Sequence, residues 1–335
     1  MSARLNAVGI VAIGRNEGER LRRCLESLPE DVGAVAYVDS GSTDGSAEFA
    51  VSRGVEVVEL DMSVPFSAAR ARNAGFQRLL EVRPDLDKVQ FVDGDCVVAE
   101  GWLQRAVEAL DANSDVVAVW GSRREIFPER SVYNRLCDLE WNKTPPGETR
   151  AFGGDVMVRV EGFRQVDGYD PSVIAAEDDE FSVRMRKEGW RILRIDADMT
   201  RHDAAMTSWR QWWKRAVRCG YAYAQVSAIH GAPPERYFIT ELRRTLIWGL
   251  AVPLLALSLA WPTGGLSLLL LLGLYLVRAV RIAWRCRRQG WTRRNAAAWG
   301  ISCSLSCIPQ LFGVKRYSLN RVRGLRPTII EYKSG

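Results

Sequence analysis

The apolar run VQFV (89–92) ends in Asp93, Gly94 and Asp95, and apolar residues resume at Val97. Two carboxylates two apart at the end of a buried strand are costly to desolvate unless something compensates their charge. Similar residues follow other apolar runs: Asn16 and Glu17 after AVGIVAIG, Asp39 at the end of GAVAYVD. Four consecutive acids, Glu177 to Glu180, open a helical pattern. A helix macrodipole favours acids in its first turn, yet it does not require four. Gly153 and Gly154 precede another short run, VMV. Paired glycines allow a backbone to approach a ligand closely, and a plain tight turn is the alternative. His202 is one of only two histidines.

Short apolar runs alternate with helical patterns over the first hundred residues. AVGIVAIG, GAVAYVDS, VEVVEL and KVQFVDGD read as strands. EGERLRRCLESL, STDGSAEFAVSRG and PFSAARARNAGFQRLLEV read as helices, the last with Pro65 at its start. This rhythm predicts a parallel sheet with right-handed crossovers. Ligands on such sheets bind beyond the carboxyl ends of the strands. That edge collects Asn16, Glu17, Asp39, Asp93 and Asp95. Further along, DVVAVWGSRREIF reads as a strand running into a loop, and AEDDEFSVRMRKEGW as a helix stopped by Gly189.

The character of the chain changes after about residue 240. Three uncharged runs follow, at 245–261, 264–277 and 295–314. A spanning helix needs about 20 apolar residues. The first run qualifies, the second does so with its glycines and a snorkelling basic end, and the third reads as an interfacial or re-entrant segment. Twelve Arg and Lys and no acid lie between Arg278 and Arg326. The whole chain is +6, so residues 1–277 are near −6. Charge of this kind on the tail, interleaved with apolar runs, favours anionic lipid over nucleic acid. Arg243, Arg244, Arg278 and Arg281 flank the hairpin, whereas its WPTGG turn has no basic residue. The positive-inside rule then puts the tip outside and the large domain in the cytoplasm, at the inner membrane. The division expected is 1–240 for a catalytic domain and 241–335 for a membrane-associated region with a basic tail. The seven cysteines are odd in number and have no zinc spacing, and no disulfide framework is expected.

Taken in order, VAIGRNEGERLRRCLESL, YVDSGSTDGS, ARNAGF, FVDGDCVV, FGGDVMVRV and AEDDEFSVRMRKEGWRI resemble the family 2 glycosyltransferases. The resemblance covers residues 7–225. It implies the GT-A fold: α/β, Rossmann-like, with a mixed, mainly parallel sheet and helices on both faces, here followed by a C-terminal helical membrane region. It implies a nucleotide-diphosphate sugar as donor, most often with uracil as base, and a divalent cation, Mg2+ or Mn2+. Asp93 and Asp95 would hold the cation against the diphosphate, with His202 as a third ligand. Asn16, Glu17 and Asp39 would line the nucleoside pocket, and Arg72, Asn73 and Asp93 would reach the donor. Asp178, with Glu177 as its competitor, would be the general base of an inverting transfer. Gly153, Gly154 and Asp155 would border the acceptor, a lipid-linked or membrane-proximal glycan in cell-envelope polysaccharide or glycolipid synthesis. Processive members carry Q-x-x-R-W. This chain has Gln211 followed by Lys214 and Arg215, with Trp209, Trp212 and Trp213 placed earlier, which argues for single-sugar transfer. Three rivals fit less well. A sugar-phosphate nucleotidyltransferase would need a dense glycine loop where GRNEGER stands. A non-catalytic sugar-nucleotide binder would have lost a metal aspartate or the base. A nucleic-acid binder would carry its positive charge on the soluble domain.

Overall fold

Val, Ile and Ala fill the runs that must be buried on both faces, and each run forms a strand of one nine-stranded sheet. The computed structural model describes residues 5–325 and 328–331; Arg326 and Lys333 of the basic tail lie outside them. The strands are β1 (Val8–Gly14), β2 (Ala34–Asp39), β3 (Glu56–Glu59), β4 (Lys88–Asp93), β5 (Cys96–Val98), β6 (Val116–Glu125), β7 (Gly147–Thr149), β8 (Val156–Arg159) and β9 (Arg191–His202). Their order is β3-β2-β1-β4-β8-β6-β9-β5, with β7 also on β9. β1 to β4 pair in parallel through helical crossovers. β8 enters antiparallel between β4 and β6, and β9 returns parallel to β6. The sheet is therefore mixed and mainly parallel, as the resemblance implies, whereas the alternation of runs alone predicts a parallel sheet.

One local expectation changes. Pro65 is not the start of its helix: the helix is Ala68–Val82, and Ser67 caps it by accepting the Arg70 N–H at 3.2 Å. A hydroxyl acceptor at the N-cap satisfies an orphan donor, which proline does not do. DVVAVWGSRREIF is, as read, a strand running into a loop: it forms the ten-residue β6, paired with β9 as far as Glu125 opposite His202.

The chain separates into two compact units. One runs to Ile126 and includes Trp141–Asp203; it holds the whole sheet and its core. The other comprises Phe127–Glu140 and the described chain from Ala204 onward, and is helical. In it, Trp209–His230 begins with a capping box in which Ser208 and Gln211 satisfy each other's backbone N–H groups. The run 245–261 continues the helix Ile239–Leu246 through a π turn at Ile247–Ala251 into Val252–Ser258. Pro253 lacks the N–H that would continue the regular ladder, which accounts for the wider turn just before it. Among the described residues, two helices are long and apolar enough to cross a membrane, Leu266–Arg288 and Arg293–Val322, the second interrupted at Ser306.

Candidate active site

Strand register assembles the site. Ile13 of β1 lies opposite Asp93 of β4, and the Gly94 N–H donates to the Ile13 carbonyl at 2.8 Å, which ends the strand. β5 then pairs with β9, so that Cys96 is opposite His202. β6 brings Arg123 opposite Thr200 of β9. β8 begins one residue after Asp155, and this puts that carboxylate beside the end of β4, where it accepts the Asp93 N–H at 3.0 Å.

Two arginines, Arg72 buried and Arg123 half-buried, hold the carboxylates. Arg72, on the helix Ala68–Val82, is only 2% exposed. Its Nη1 donates to Glu177 Oε1 at 2.8 Å and lies 3.3 Å from Asp178 Oδ1. Its Nη2 donates to Asp93 Oδ1 at 3.0 Å and to the Gly154 carbonyl at 3.4 Å. Arg123 Nη2 donates to Asp93 Oδ2 at 2.8 Å, and its fork also grips Asp155 at 2.7 and 2.8 Å. The Thr200 hydroxyl gives Asp155 a further bond at 2.5 Å. The run of four acids therefore divides. Glu177 and Asp178 turn to Arg72, while Glu180 pairs with Arg184 at 2.8 Å along its own helix.

This geometry drives two acids in opposite directions. Burial pushes Asp93 up, but Arg123 and Arg72 more than offset it and hold its carboxyl at about 2. Burial pushes Asp178 well above the usual carboxylate range. Arg72 draws it back only in part, while Glu177, Asp93 and Asp179 raise it further. An ionised acid beside one whose proton affinity is raised is the pattern that separates an electrostatic group from a proton carrier. Asp178 keeps 15% side-chain exposure.

Gly154 permits this closure. A Cβ there would lie 2.9 Å from Asp93 Oδ2 and 3.1 Å from Arg72 Nη2, with Arg123 Nη2 at 3.5 Å. Beside Gly153 there is open space. Gly154→Ala is expected to spread the three charged groups and to cost about 1–3 kcal/mol. The variant should melt lower by circular dichroism and lose about tenfold or more in turnover. Unchanged melting and turnover would mean that the cluster adapts freely.

On the other side of Asp93, His202 Nε2 is 3.1 Å from Asp95 Oδ2, both groups being buried. Their ligand atoms and Cys96 Sγ lie within 4.8 Å of one another. Burial pushes the Cys96 thiol well up, with only partial opposition from Arg123, so it stays a neutral thiol and a poor ligand. The useful donors are then a carboxylate oxygen and an imidazole nitrogen, a set that suits a divalent cation of the Mn2+ or Mg2+ kind, completed by phosphate and water oxygens. Each Asp93 oxygen already faces a guanidinium.

The remaining expected residues are placed as follows. Asp39 is buried and accepts from the Tyr37 hydroxyl at 3.0 Å and from the N–H groups of Gly41 and Ser42 at 2.9 and 2.7 Å. Asn16, at positive φ, accepts the Thr43 N–H at 2.8 Å, tying the loop after β1 to the loop after β2. Glu17 pairs with Arg20 at 2.7 Å. Asn73 does not point at the strand ends: its amide holds the Tyr169 backbone at 2.7 and 2.9 Å. Asp155 is 1% exposed and lies beneath the site, taken up by Arg123, Thr200 and the Asp93 N–H. Sequence reasoning passed over Arg123, Thr200 and Tyr169. SRRE offers two arginines at a strand end, and only the pairing with β9 selects Arg123. Tyr169, whose ring faces the Arg72 guanidinium at 5.4 Å, is recognisable only once Asn73 is seen to hold it.

Known proteins resemble the chain in sequence and in fold. The model of Glycosyl transferase family 2 matches residues 10–167, and that of the N-terminal domain of galactosyltransferase matches residues 136–207. Succinoglycan biosynthesis protein ExoA of Rhizobium meliloti is 26% identical over 196 residues, 54% of this chain. The chain spans 58% of the length of ExoA, less than two thirds. An N-acetylglucosaminyl-diphospho-decaprenol L-rhamnosyltransferase of Mycobacterium tuberculosis is 26% identical over 236 residues, 59% of this chain and 76% of that protein. Among solved structures, mannosyltransferase PcManGT from Pyrobaculum calidifontis, in complex with GDP-Man and Mn2+, superposes with a TM-score of 0.63 at 20% identity. That match covers 94% of this chain and 88% of the other, and it supports the fold. Sheet order, strand-end carboxylates and matched span converge: the chain has the GT-A fold and is similar to the family 2 glycosyltransferases over residues 10–167.

Proposed function

We propose that the protein is an inverting, non-processive glycosyltransferase that moves one sugar from a nucleoside diphosphate to a lipid-linked or membrane-proximal acceptor. The observation that carries this reading is Arg72, which joins the strand-end carboxylate Asp93 to Glu177 and Asp178. One guanidinium thereby fixes the donor side and the proton-accepting side of a single reaction centre. Asp178 takes the proton of the acceptor hydroxyl as the hydroxyl oxygen attacks the anomeric carbon and the bond to the diphosphate breaks. Glu177, closer to Arg72, orients that guanidinium. Asn16, Glu17 and Asp39 border the nucleoside, with a uridine donor favoured, and Gly153 and Gly154 border the acceptor above Asp155.

Asp95 and His202, with Asp93 beside them, would hold the divalent cation, for which the imidazole favours Mn2+ over Mg2+. Bound there, the cation supplies Lewis-acid neutralisation of the charge on the departing nucleoside diphosphate. The apolar helices after residue 240 and the basic residues around them support membrane association, with the catalytic domain on the cytoplasmic face. A decaprenol-linked substrate in the name of one relative points the same way for the acceptor.

The test is calorimetry with UDP, GDP and dTDP, with and without Mn2+, on the parent chain and on Asp95→Ala. The expected result is cation-dependent binding, strongest for UDP, that weakens about tenfold or more in Asp95→Ala. Binding of none of the three in the presence of Mn2+ would remove the donor site.

A further inference from the structure

We propose that the hairpin between Arg244 and Arg278 enters the bilayer from one face and turns back inside it, so that its tip does not emerge on the other face. This rests on the membrane association proposed above and specifies its form. The segment 245–277 has no charged residue. Leu255, Leu257, Trp261, Leu269, Leu272 and Leu276 are each more than half exposed. Apolar exposure on all sides, rather than along one stripe, fits hydrocarbon as the surrounding medium.

The arms are antiparallel and aligned. The Ser267 hydroxyl donates to the Ala256 carbonyl at 2.7 Å near the tip, and the Tyr275 hydroxyl donates to the Trp248 carbonyl nearer the base. At the base Arg243, Arg244 and Arg281 are exposed and form a basic collar suited to anionic headgroups. Arg278 is fixed sideways. It donates to the carbonyls of Ser304 and Cys303 at 3.4 and 3.3 Å and lies 4.8 Å from the centre of the Trp248 ring. Held in this way, it does not snorkel along the helix axis to lengthen the apolar arm.

Length decides the matter. The twelve helical residues Leu266–Val277 rise about 18 Å, and Thr245–Ser258 about 21 Å. The hydrocarbon core is about 30 Å thick. With the collar at one interface, the two arms end about 9 and 12 Å short of the other, a gap of six to eight helical residues that the tight turn at 259–265 fills only in part. The helix Leu266–Arg288 reaches spanning length only by including Arg278 and Arg281. The third apolar segment does not add height. It meets the hairpin at its base: Gly300 against Ala279, Cys307 against Gly249, and the Thr245 hydroxyl on Gln310 Oε1 at 3.1 Å.

Full-length Thr263→Cys and, separately, Trp261→Cys, both at the exposed tip, would be treated with a membrane-impermeant maleimide. Intact bacterial cells, broken membranes and detergent-solubilised protein would be compared, with labelling read on the tip peptide by mass spectrometry. Gln289→Cys, beyond the collar, serves as the reference for the base. The proposal expects tip labelling only after detergent, and base labelling already in broken membranes. Tip labelling in intact cells would mean that the hairpin spans; it would overturn the proposal and leave membrane association standing. Tip labelling in broken membranes equal to that of Gln289→Cys would place the hairpin outside lipid and overturn both.

Discussion

Replacing Arg72 with methionine is expected to lower the stability of the catalytic unit by about 3–5 kcal/mol, because it leaves buried carboxylates without their cation. Asp93, Glu177 and Asp178 all face this one guanidinium, and methionine keeps much of its volume while removing its charge. Turnover should fall below detection, since the same residue fixes both sides of the reaction centre. The loss should also depend on pH. Asp93 is held at about 2, below its unfolded value of about 3.9. It therefore contributes stability that is fully present above the unfolded value and lost as pH falls through the folded one. Without Arg72 the Asp93 value rises toward its unfolded value, so Arg72→Met should lose less stability than the parent during acidification, and the gap between the two should narrow at low pH. Arg72→Lys should recover part of the stability and little of the activity, because an ammonium is a point charge and does not fork between Asp93 and Glu177. Urea denaturation of the parent and both variants at several pH values measures these differences. Equal stability of parent and Arg72→Met would show that the three acids are not held by this residue.

Asp178→Asn should have the opposite signature. The amide keeps the shape and removes the proposed base, and turnover should fall by about 10²- to 10⁴-fold. In the parent, burial raises the Asp178 carboxyl well above its unfolded value. The native state then holds a proton that the unfolded state has lost, and stability declines as pH rises from the unfolded value through the folded one. Activity moves the other way and rises as Asp178 ionises. The variant should show neither effect from this group: its acidic activity limb disappears, and it gains stability relative to the parent as pH increases. A group kept for chemistry at a cost in stability behaves in this manner. A variant with the parent's pH profile would exclude Asp178 as the base.

Much of this fold is written in local patterns. β1 to β4 and their crossovers follow from short runs of Val, Ile and Ala bounded by caps and glycines, and the carboxyl-end rule then gathers Asn16, Asp39, Asp93 and Asp95 at one edge. The second half is less legible because its strands are placed by long-range pairing. Nothing near residue 123 indicates that β6 and β9 run together to Glu125 and His202, and that register is what delivers Arg123 to Asp93. Composition marks Asn73 and Asp155 as polar residues in suggestive motifs. Whether such a side chain faces a ligand or supports a neighbour depends on packing: Asn73 holds the Tyr169 backbone, and Asp155 anchors Arg123. Gly154 was visible as one of a pair, but only the distances separate the glycine that admits two arginines and a carboxylate from its neighbour facing open space.

The most direct measurement of the central claim is turnover by the full-length protein in membranes supplied with Mn2+, a panel of nucleotide sugars and a lipid extract. Release of nucleoside diphosphate and labelled sugar in the lipid fraction would be followed for the parent and for Asp178→Asn. Transfer from one donor by the parent, lost in Asp178→Asn while nucleotide binding persists, is the predicted result. Cation-dependent nucleotide binding with no transfer and no diphosphate release from any donor would contradict it, and would make the chain a binder of sugar nucleotides on a glycosyltransferase fold.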